Sequence, residues 1–462
     1  MPFEWFVARR YLKGTHRGRV RLSTAGVTIG VAVLVVVISV MNGFERDFLH
    51  KMLGAFGPLR LLQTDQYGQL VSIADYEDWI RRFERVEGVI GVSPNIEQGV
   101  MIVAKGGGTG QQRAQFVMSR GIEPAYEQSV SDIIDIEGGL PGDWALLAAR
   151  DEAEAASQPD SFDPFDLPIE LPAVFIGVEL AKELYDLPPQ AKWDGPESYL
   201  GKRLHDDVIG QSISLVAPRF TRDPSGEQMF RMEAEIKGIF KTGFYEFDKG
   251  NIVTSLETAR LLVGMEPKTV QSLVFNIEDP SPAATYALAE RLVNDAADNY
   301  GVNFVANPWM RLNPVLLEAV KIEKVVMSAI LTLLLLVAAF GIASTLIMTV
   351  LEKTREIGTL MAMGSRRWSI MAIFVINGLL VGLYGTGFGV LLGVGICVTI
   401  DYLQINLPGG GGVYILDVLP VEIRWWQVAC IAVFSLMAAT LAGVIPARRA
   451  ASLHPVEALG HE

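Results

Sequence analysis

The sequence predicts a membrane protein with four transmembrane α-helices and a large mixed α+β extracytoplasmic domain between helices 1 and 2. Half of the 462 residues are hydrophobic while 20% are charged, and the mean hydropathy is +0.30, so the chain is divided between bilayer and water. Four charge-free apolar runs reach the length of about 20 residues that a bilayer core requires. They are residues 22–44, 325–351, 368–400 and 425–447. The polar segment 45–320 is long enough to fold around its own core.

The charge distribution orients these helices. Residues 44–320 hold 24 Lys and Arg against 43 Asp and Glu, a net charge of −19, whereas the remainder carries +6. Short basic flanks stay in the cytoplasm, and the basic residues cluster before the first span and in the 352–367 loop. We therefore expect residues 1–21, 352–367 and 448–462 to be cytoplasmic. Residues 45–320 and the 401–424 loop should face outward, and the acidic balance speaks against nucleic acid.

The segment before the first span has helical periodicity. Residues 2–13 place four apolar side chains opposite Arg9 and Lys13, which favours an interfacial helix on the inner leaflet, with a disordered basic tail as the alternative. The first span has the full length of an anchor, and no small-x-small cleavage site follows it. We interpret it as an uncleaved anchor.

The outer domain is predicted to intermix strands and helices. Its patterns predict strands at 99–105, 113–121, 173–177, 213–216, 232–240, 251–254 and 269–277, and helices at 178–185, 256–262 and 282–298. Ser255 is the predicted N-cap of the helix at 256–262. Residues 150–167 are predicted to be an acidic surface loop. Both cysteines, Cys397 and Cys430, lie in predicted spans, so this domain must fold without disulfides.

A search for catalytic chemistry finds little. The chain has no Gly-x-x-x-x-Gly-Lys-Ser/Thr string for binding phosphate, and its five histidines lack metal-ligand spacing. Asp206 and Asp207 are the most tempting carboxylate pair, but on a strand they would point apart. We therefore predict no catalytic residue, no metal site and no enzyme activity of the chain itself.

Glycines recur at four-residue spacing in two of the spans. Gly26 and Gly30 form one pair, and the third span carries two ladders, Gly378 with Gly382 and Gly385 with Gly389 and Gly393. Such ladders let helix backbones approach closely, although general glycine enrichment of membrane helices is the alternative. The spans contain no charge, which argues against an ion pathway.

Three segments resemble a known family. The first span and its exit, with the string Met41-Asn-Gly-Phe-Glu45, resemble the LolC/LolE lipoprotein-releasing permeases. The stretch from Glu352 to Gly364 and the tail from Pro446 to Leu459 are similar to the wider family that also holds MacB and FtsX. In the outer domain, Arg120-Gly-Ile-Glu-Pro124 and residues 238–243 fit as well.

The resemblance implies a permease subunit of an ABC-type complex in the inner membrane. It implies a second permease chain, identical or different, and a cytoplasmic ATPase dimer that binds the ATP, so that the permease needs no cofactor of its own. The cargo would be a lipoprotein, which is passed to a LolA-like periplasmic carrier. The alternatives are a MacB-type exporter subunit and an FtsX-like regulator of a cell-wall hydrolase. Co-purification of a lipoprotein with the carrier, of a soluble substrate, or of a hydrolase would separate them.

The 352–367 loop is a candidate coupling helix that docks on the ATPase. It keeps apolar residues in a loop that would otherwise expose them to water, and exposed apolar clusters mark contacts. A solvated turn with basic residues is the alternative. The candidate coupling residues are Glu352, Lys353, Arg355, Glu356, Ile357, Leu360 and Gly364.

The resemblance also implies a lipoprotein-binding cavity between the outer ends of spans one and two. The residues at that depth are Val37, Met41, Phe44, Phe48, Val326, Met327 and Ile330. Plain helix packing is the alternative, because flexible Met suits both roles.

Residues 216–230 are predicted to form a protruding loop. An ordinary hairpin needs two to five connecting residues, and this segment is longer and contains Pro, Arg and Phe. Carrier-recruiting family members have an arm called the Hook in this place, which makes Pro218, Arg219, Phe220, Arg222 and Pro224 candidate carrier-binding residues. A long hairpin without a partner is the alternative.

Overall fold

The computed structural model describes residues 3–13, 17–105, 112–131, 133, 171–188, 198–220, 227–312, 314–403 and 419–452. The chain divides into two compact units, the membrane unit formed by residues 1–46, 318–405 and 418–462 and the outer unit formed by residues 47–317 and 406–417. The predicted acidic loop 150–167 and the glycines at 106–110 lie outside the described residues, as does most of the 401–424 loop.

The helices and strands are numbered here in chain order. The helices are α1 (Phe3–Lys13), α2 (Arg17–Phe56), α3 (Tyr76–Phe83), α4 (Pro124–Glu127), α5 (Val178–Leu184), α6 (Tyr199–Asp207), α7 (Tyr245–Gly250), α8 (Leu256–Val263), α9 (Pro282–Tyr300), α10 (Trp309–Leu312), α11 (Pro314–Glu352), α12 (Thr354–Ala362), α13 (Arg367–Leu403), α14 (Trp425–Ala442) and α15 (Val444–Ala451). The strands are β1 (Leu59–Thr64), β2 (Leu70–Val71), β3 (Ile73–Ala74), β4 (Val89–Lys105), β5 (Gln112–Ile122), β6 (Ala173–Gly177), β7 (Ser212–Phe220), β8 (Glu227–Phe240), β9 (Asn251–Ser255), β10 (Thr269–Val270), β11 (Ser272–Ile277) and β12 (Asn303–Pro308).

Within the part of the chain that the structure describes, four helical segments are long and apolar enough to cross a membrane, as predicted. The first belongs to α2, which continues twelve residues past the predicted end at Phe44. It continues because Phe48, Met52 and Ala55 recur at helical spacing and are all buried. The fourth candidate span runs from Trp425 to Ala451 and consists of α14 and α15, which are separated at Gly443. Pro446 lacks the N–H that would donate to the carbonyl of Ala442, and this missing hydrogen bond favours a break in the helix at this point.

The two glycine ladders of α13 face two different helices, which confirms the predicted close packing. A Cβ at Gly382 would lie 2.6 Å from the Cβ of Ala439 on α14. On the second ladder, Gly385, Gly389 and Gly393 lie against Val27, Val31 and Val35 of α2. In the first span, a Cβ at Gly26 would meet no atom within 4 Å, whereas Gly30 is buried.

One half of the outer unit is an antiparallel sheet covered by helices. Its strand order is β12-β1-β11-β4, and α3 and α9 pack on it. The core contains aromatic rings in contact, with Phe83 lying 5.5 Å from Phe275 and Trp79 lying 5.1 Å from Phe304 between ring centroids. The β4 strand is long enough to pair with β11 in this sheet and, further along, with β5 and β7 in the other half of the outer unit.

The other half is a ring of six strands. The pairing runs β4-β5-β9-β6-β8-β7 and returns to β4, where Met101 pairs with Val216. Among the described strands of this ring, the β5–β9 and β6–β8 pairs are parallel and the other pairs are antiparallel. The buried faces of these strands, together with α5 and α6, enclose the second core of the outer unit.

The structure confirms most predicted elements of the outer domain. The predicted strand 269–277 is two strands, β10 and β11, which belong to different sheets. Asp206 and Asp207 lie on the helix α6. The predicted cap of α8 is present, with the Ser255 hydroxyl accepting a hydrogen bond from the backbone N–H of Thr258 at 3.1 Å.

The predicted loop 216–230 is largely a β-hairpin. The β7 and β8 strands stay paired as far as Phe220 and Glu227, so Pro218, Arg219 and Phe220 lie on a strand, and the expectation of a loop is wrong for them. Arg222 and Pro224 lie outside the described residues. The alternating pattern of the strand was hidden by Pro218, because proline argues against a strand interior except at an edge.

Candidate functional site

The loop between the second and third spans folds into the helix α12, and that helix is braced by its own chain. Ile357 is buried in a cluster with Val350, Ile370, Phe374 and Ala447. Leu360 and Met361 pack partly against the same cluster. A force applied to α12 would therefore reach α13 and α15 through packed side chains.

The exposed side of α12 is charged and carries one large apolar residue. Arg355 and Glu356 are exposed, Lys353 forms an ion pair with Glu356, and Met363 is 71% exposed. The expectation that all apolar residues of this loop face water is therefore wrong for Ile357, which fills the protein's own core. Glu352 and Gly364 are exposed at the two ends of the segment.

A polar network joins the outer end of α2 to the segment that precedes α14. The Asn42 side chain is buried and donates from Nδ2 to Oε1 of Gln427 at 2.5 Å. The backbone N–H of Glu422 donates to the carbonyl of Ser39 at 2.9 Å. A side chain at Gly43 has no room, since its Cβ would lie 2.5 Å from the carbonyl oxygen of Pro420.

Glu45 lies at the edge of this network and faces two cations. Its Oε2 atom forms an ion pair with Nζ of Lys324 on α11, and Nη1 of Arg424 lies 3.9 Å from the same oxygen. The sequence pattern predicted no role for Glu45 or Asn42. The available signal was an acidic residue directly after the first apolar span and a basic residue, Lys324, directly before the second.

The predicted lipoprotein-binding residues divide into two groups. Val326 and Ile330 on α11 are exposed, and Met41, Phe44 and Met327 are partly buried. Val37 packs in a cluster with Ile431 of α14. Phe48 is buried in the outer unit, 5.8 Å from the ring of Phe244, so it is engaged in the protein core.

The β7–β8 hairpin holds Arg219 in place. Its guanidinium lies 5.1 Å from the ring centroid of Phe230, a cation–π distance. It also covers Gly264, where a Cβ would lie 2.2 Å from Nε of Arg219. Arg219 therefore packs against its own domain.

Two buried carboxylates fix the turns around the end of α2 within the outer unit. Arg120 is 1% exposed and donates to Glu127 at 3.0 Å and to the carbonyl of Ala55 at 2.6 Å. Asp248 accepts hydrogen bonds from the backbone N–H groups of Thr242 at 2.8 Å and Gly243 at 3.3 Å. Burial raises the pKa of Asp248 to about 7, although these hydrogen bonds oppose the shift. These contacts give structural roles to both outer-domain motifs of the family resemblance.

The described residues contain no group of three or more His, Cys, Asp or Glu side chains that could hold a metal ion. The two cysteines are unpaired, Cys397 buried and Cys430 exposed.

Comparison with known proteins supplies the family. Residues 22–292 match the MacB-like periplasmic core domain, and residues 328–455 match the FtsX-like permease C-terminal domain. The chain is 28% identical to the lipoprotein-releasing system transmembrane protein LolC of Neisseria meningitidis serogroup B, over 99% of both chains. It is 23% identical to the LolE protein of that system from Haemophilus influenzae, again over 99% of both.

A solved structure is also similar. The extracellular domain of the ABC-type transporter YknZ from Gram-positive bacteria matches 54% of this chain and 98% of its own, at 11% identity and a TM-score of 0.31. That score is too low to carry an argument. The two matched regions together cover the spans and most of the outer domain, and the chain belongs to the family of permeases with a MacB-like periplasmic core domain and an FtsX-like C-terminal domain.

Proposed function

We propose that this chain is the permease subunit of an ABC-type complex that extracts lipoproteins from the inner membrane and passes them to a LolA-like periplasmic carrier. The observation that carries the proposal is similarity along 99% of the chain to relatives named as LolC and as LolE, in an architecture of four spans and an α+β domain. The chain would have no catalytic residue or cofactor of its own, and a separate ATPase dimer would bind the ATP.

The energy needed to remove a lipid anchor from the membrane is consistent with a permease that works with a separate ATPase. A lipid anchor is held by about 0.8 kcal/mol for each buried CH₂ group, so removing several acyl chains requires an energy source. Among the described residues of the spans, no Asp, Glu, Lys, Arg or His side chain is buried. The buried polar side chains there are Ser39, Asn42, Asn377, Thr386 and Ser435. This arrangement suits mechanical extraction better than conduction of ions.

Force would enter through α12. Its exposed Arg355 and Glu356, and the exposed Met363 directly after it, are available to a cytoplasmic partner, and its buried Ile357 ties it to α13. The lipoprotein would contact Met41 and Phe44 on α2 and Val326, Met327 and Ile330 on α11. The carrier would contact the tip of the β7–β8 hairpin, near Arg222 and Pro224.

Reconstitution tests the function. The chain is purified with its ATPase and second permease, inserted in proteoliposomes with a lipoprotein, and mixed with the soluble carrier. We expect the lipoprotein to move to the soluble fraction only with hydrolysable ATP and carrier together. Export of a soluble substrate, or activation of a cell-wall hydrolase without release, would instead indicate a MacB-type exporter or an FtsX-like regulator.

A further inference from the structure

The helix α11 is held firmly at one end and loosely at the other. In the half nearer its C-terminus, Ile342, Leu346 and Val350 are buried against other helices of the membrane unit. In the half nearer its N-terminus, the large apolar side chains with described burial are mostly exposed: Val325, Val326, Ile330, Leu333, Leu334, Leu336 and Val337. An arm packed at one end can swing at the other with little loss of contact.

Lys324 ties the loose end to α2. Its Nζ atom forms the ion pair with Glu45, and the side chains of the two residues remain 37% and 21% exposed. Partly exposed ion pairs are weak, so this tie can break on the timescale of a working cycle.

On its other side, Glu45 lies next to a segment that hydrogen bonds fasten to α2. Asn42 on α2 is bonded to Gln427, and Glu422 is bonded through its backbone to Ser39, so the segment before α14 is fastened to α2. That segment carries Arg424, whose Nε lies 3.0 Å from Glu422 and whose Nη1 lies 3.9 Å from Glu45. Glu45 and Arg424 thus lie on two segments that hydrogen bonds hold together, whereas Lys324 lies on the loosely held helix α11.

We propose that Glu45 is a latch with two alternative partners. In the closed state it holds the outer end of α11 through Lys324. When α11 swings away, Arg424 moves the short distance to the carboxylate, so Glu45 keeps a positive partner and opening does not leave an unpaired charge beside the bilayer. The gap that opens lies between α2 and α11, where the proposed function requires a lipid-anchored substrate to enter. The assignment of the substrate rests on that proposed function, while the latch itself does not.

Removing each cation should have opposite effects. Loss of Lys324 removes the closed partner and favours the open state. Loss of Arg424 removes the open partner and favours the closed state. A role that is only structural would make both losses loosen the helix in the same direction.

The test is a distance measurement in the assembled complex. Met41→Cys and Ile330→Cys are spin-labelled in a chain with Cys397→Ser and Cys430→Ser, and the complex with its ATPase is studied in lipid nanodiscs without lipoprotein or carrier. We expect Lys324→Gln to raise the ratio of long to short distances by up to about fivefold, the range that partly exposed pairs supply. Lys324→Arg should restore the original ratio, and Arg424→Gln should lower it.

Lys321→Gln is the matched control, since Lys321 is exposed one turn before Lys324 on the same helix, and we expect it to leave the distances unchanged. An unchanged distribution in Lys324→Gln, or the same direction of change in Lys324→Gln and Arg424→Gln, would overturn the latch. Because the measurement uses no cargo, its failure is distinct from failure of lipoprotein release in the reconstituted system.

Discussion

Gly389 on α13 lies directly against Val31 on α2. A Cβ at Gly389 would stand 2.7 Å from the Cβ of Val31 and 2.8 Å from the carbonyl oxygen of Thr28, closer than real side-chain contacts. The two backbones are therefore as near as a residue without a side chain allows. Lipid offers no hydrophobic drive for helix association, so this close packing must supply the attraction.

We expect Gly389→Ala to destabilise the membrane unit by about 1–3 kcal/mol, because the added methyl group overpacks a tight contact. The measurement is the thermal unfolding temperature in detergent. Gly387→Ala is the matched control, since a Cβ at Gly387 would meet no atom within 4 Å. An equal loss in both variants would show that helix flexibility, and not contact, is responsible.

The topology predicts opposite labelling of two introduced cysteines. Tyr67 is 79% exposed in the outer unit, and Ser365 follows α12. In a chain with Cys397→Ser and Cys430→Ser, Tyr67→Cys should react with an impermeant maleimide on intact spheroplasts. Ser365→Cys should react only after lysis. Labelling of Ser365→Cys from outside would reverse the orientation.

The coupling helix predicts a separation of ATP hydrolysis from release. Glu356→Arg with Met363→Ser changes exposed positions only, so the complex should assemble but release less lipoprotein for each ATP hydrolysed. The ratio of the two rates is the measurement, and Thr359→Ala, exposed on the same helix, is the control. An unchanged ratio would favour a solvated turn.

Ile357 should behave differently from its exposed neighbours. Ile357→Ala removes a buried side chain and should lower stability by about 2–5 kcal/mol, which the unfolding temperature reports. A loss of coupling in this variant with no loss of stability would show that Ile357 faces a partner.

The lipid-facing positions predict a pattern of crosslinks. A photo-crosslinking amino acid at Met41 or Ile330 should capture lipoprotein when the complex is loaded. The same group at Phe48 should not, because Phe48 is buried against Phe244. Capture at Phe48 alone, or crosslinks from Met41 only to other permease helices, would favour plain helix packing.

Substitutions at different positions of the β7–β8 hairpin should differ in their effects on carrier binding and on stability. Arg222→Glu with Pro224→Gly should weaken binding of the purified carrier to the complex, measured by biolayer interferometry. Arg219→Ala with Phe220→Ala should also lower the stability of the hairpin, because Arg219 packs on Phe230 and Gly264. Arg231→Ala is the control, since Arg231 is exposed on the opposite strand. Full binding by the tip variant would assign carrier recruitment to another chain.

Periodicity in the sequence predicted the elements whose pattern is local. The four spans, the cap at Ser255 and the facing glycine ladders follow from runs, short motifs and four-residue spacing. What the pattern missed depends on partners distant in sequence. Ile357 looked exposed because its cluster comes from Phe374 and Ala447, and the Glu45 contacts require Lys324 and Arg424, each more than 270 residues away.

The ring of six strands limits how the outer domain can recognise a protein. Each of its strands is paired on both sides along part of its length, so the ring offers little free main chain to which a partner could add a strand. Among the described strands, β12 has a single neighbour and forms the open edge of the other half. A β-rich partner approaching the ring must therefore be selected by side chains, and its affinity can be tuned one residue at a time without disturbing the sheet.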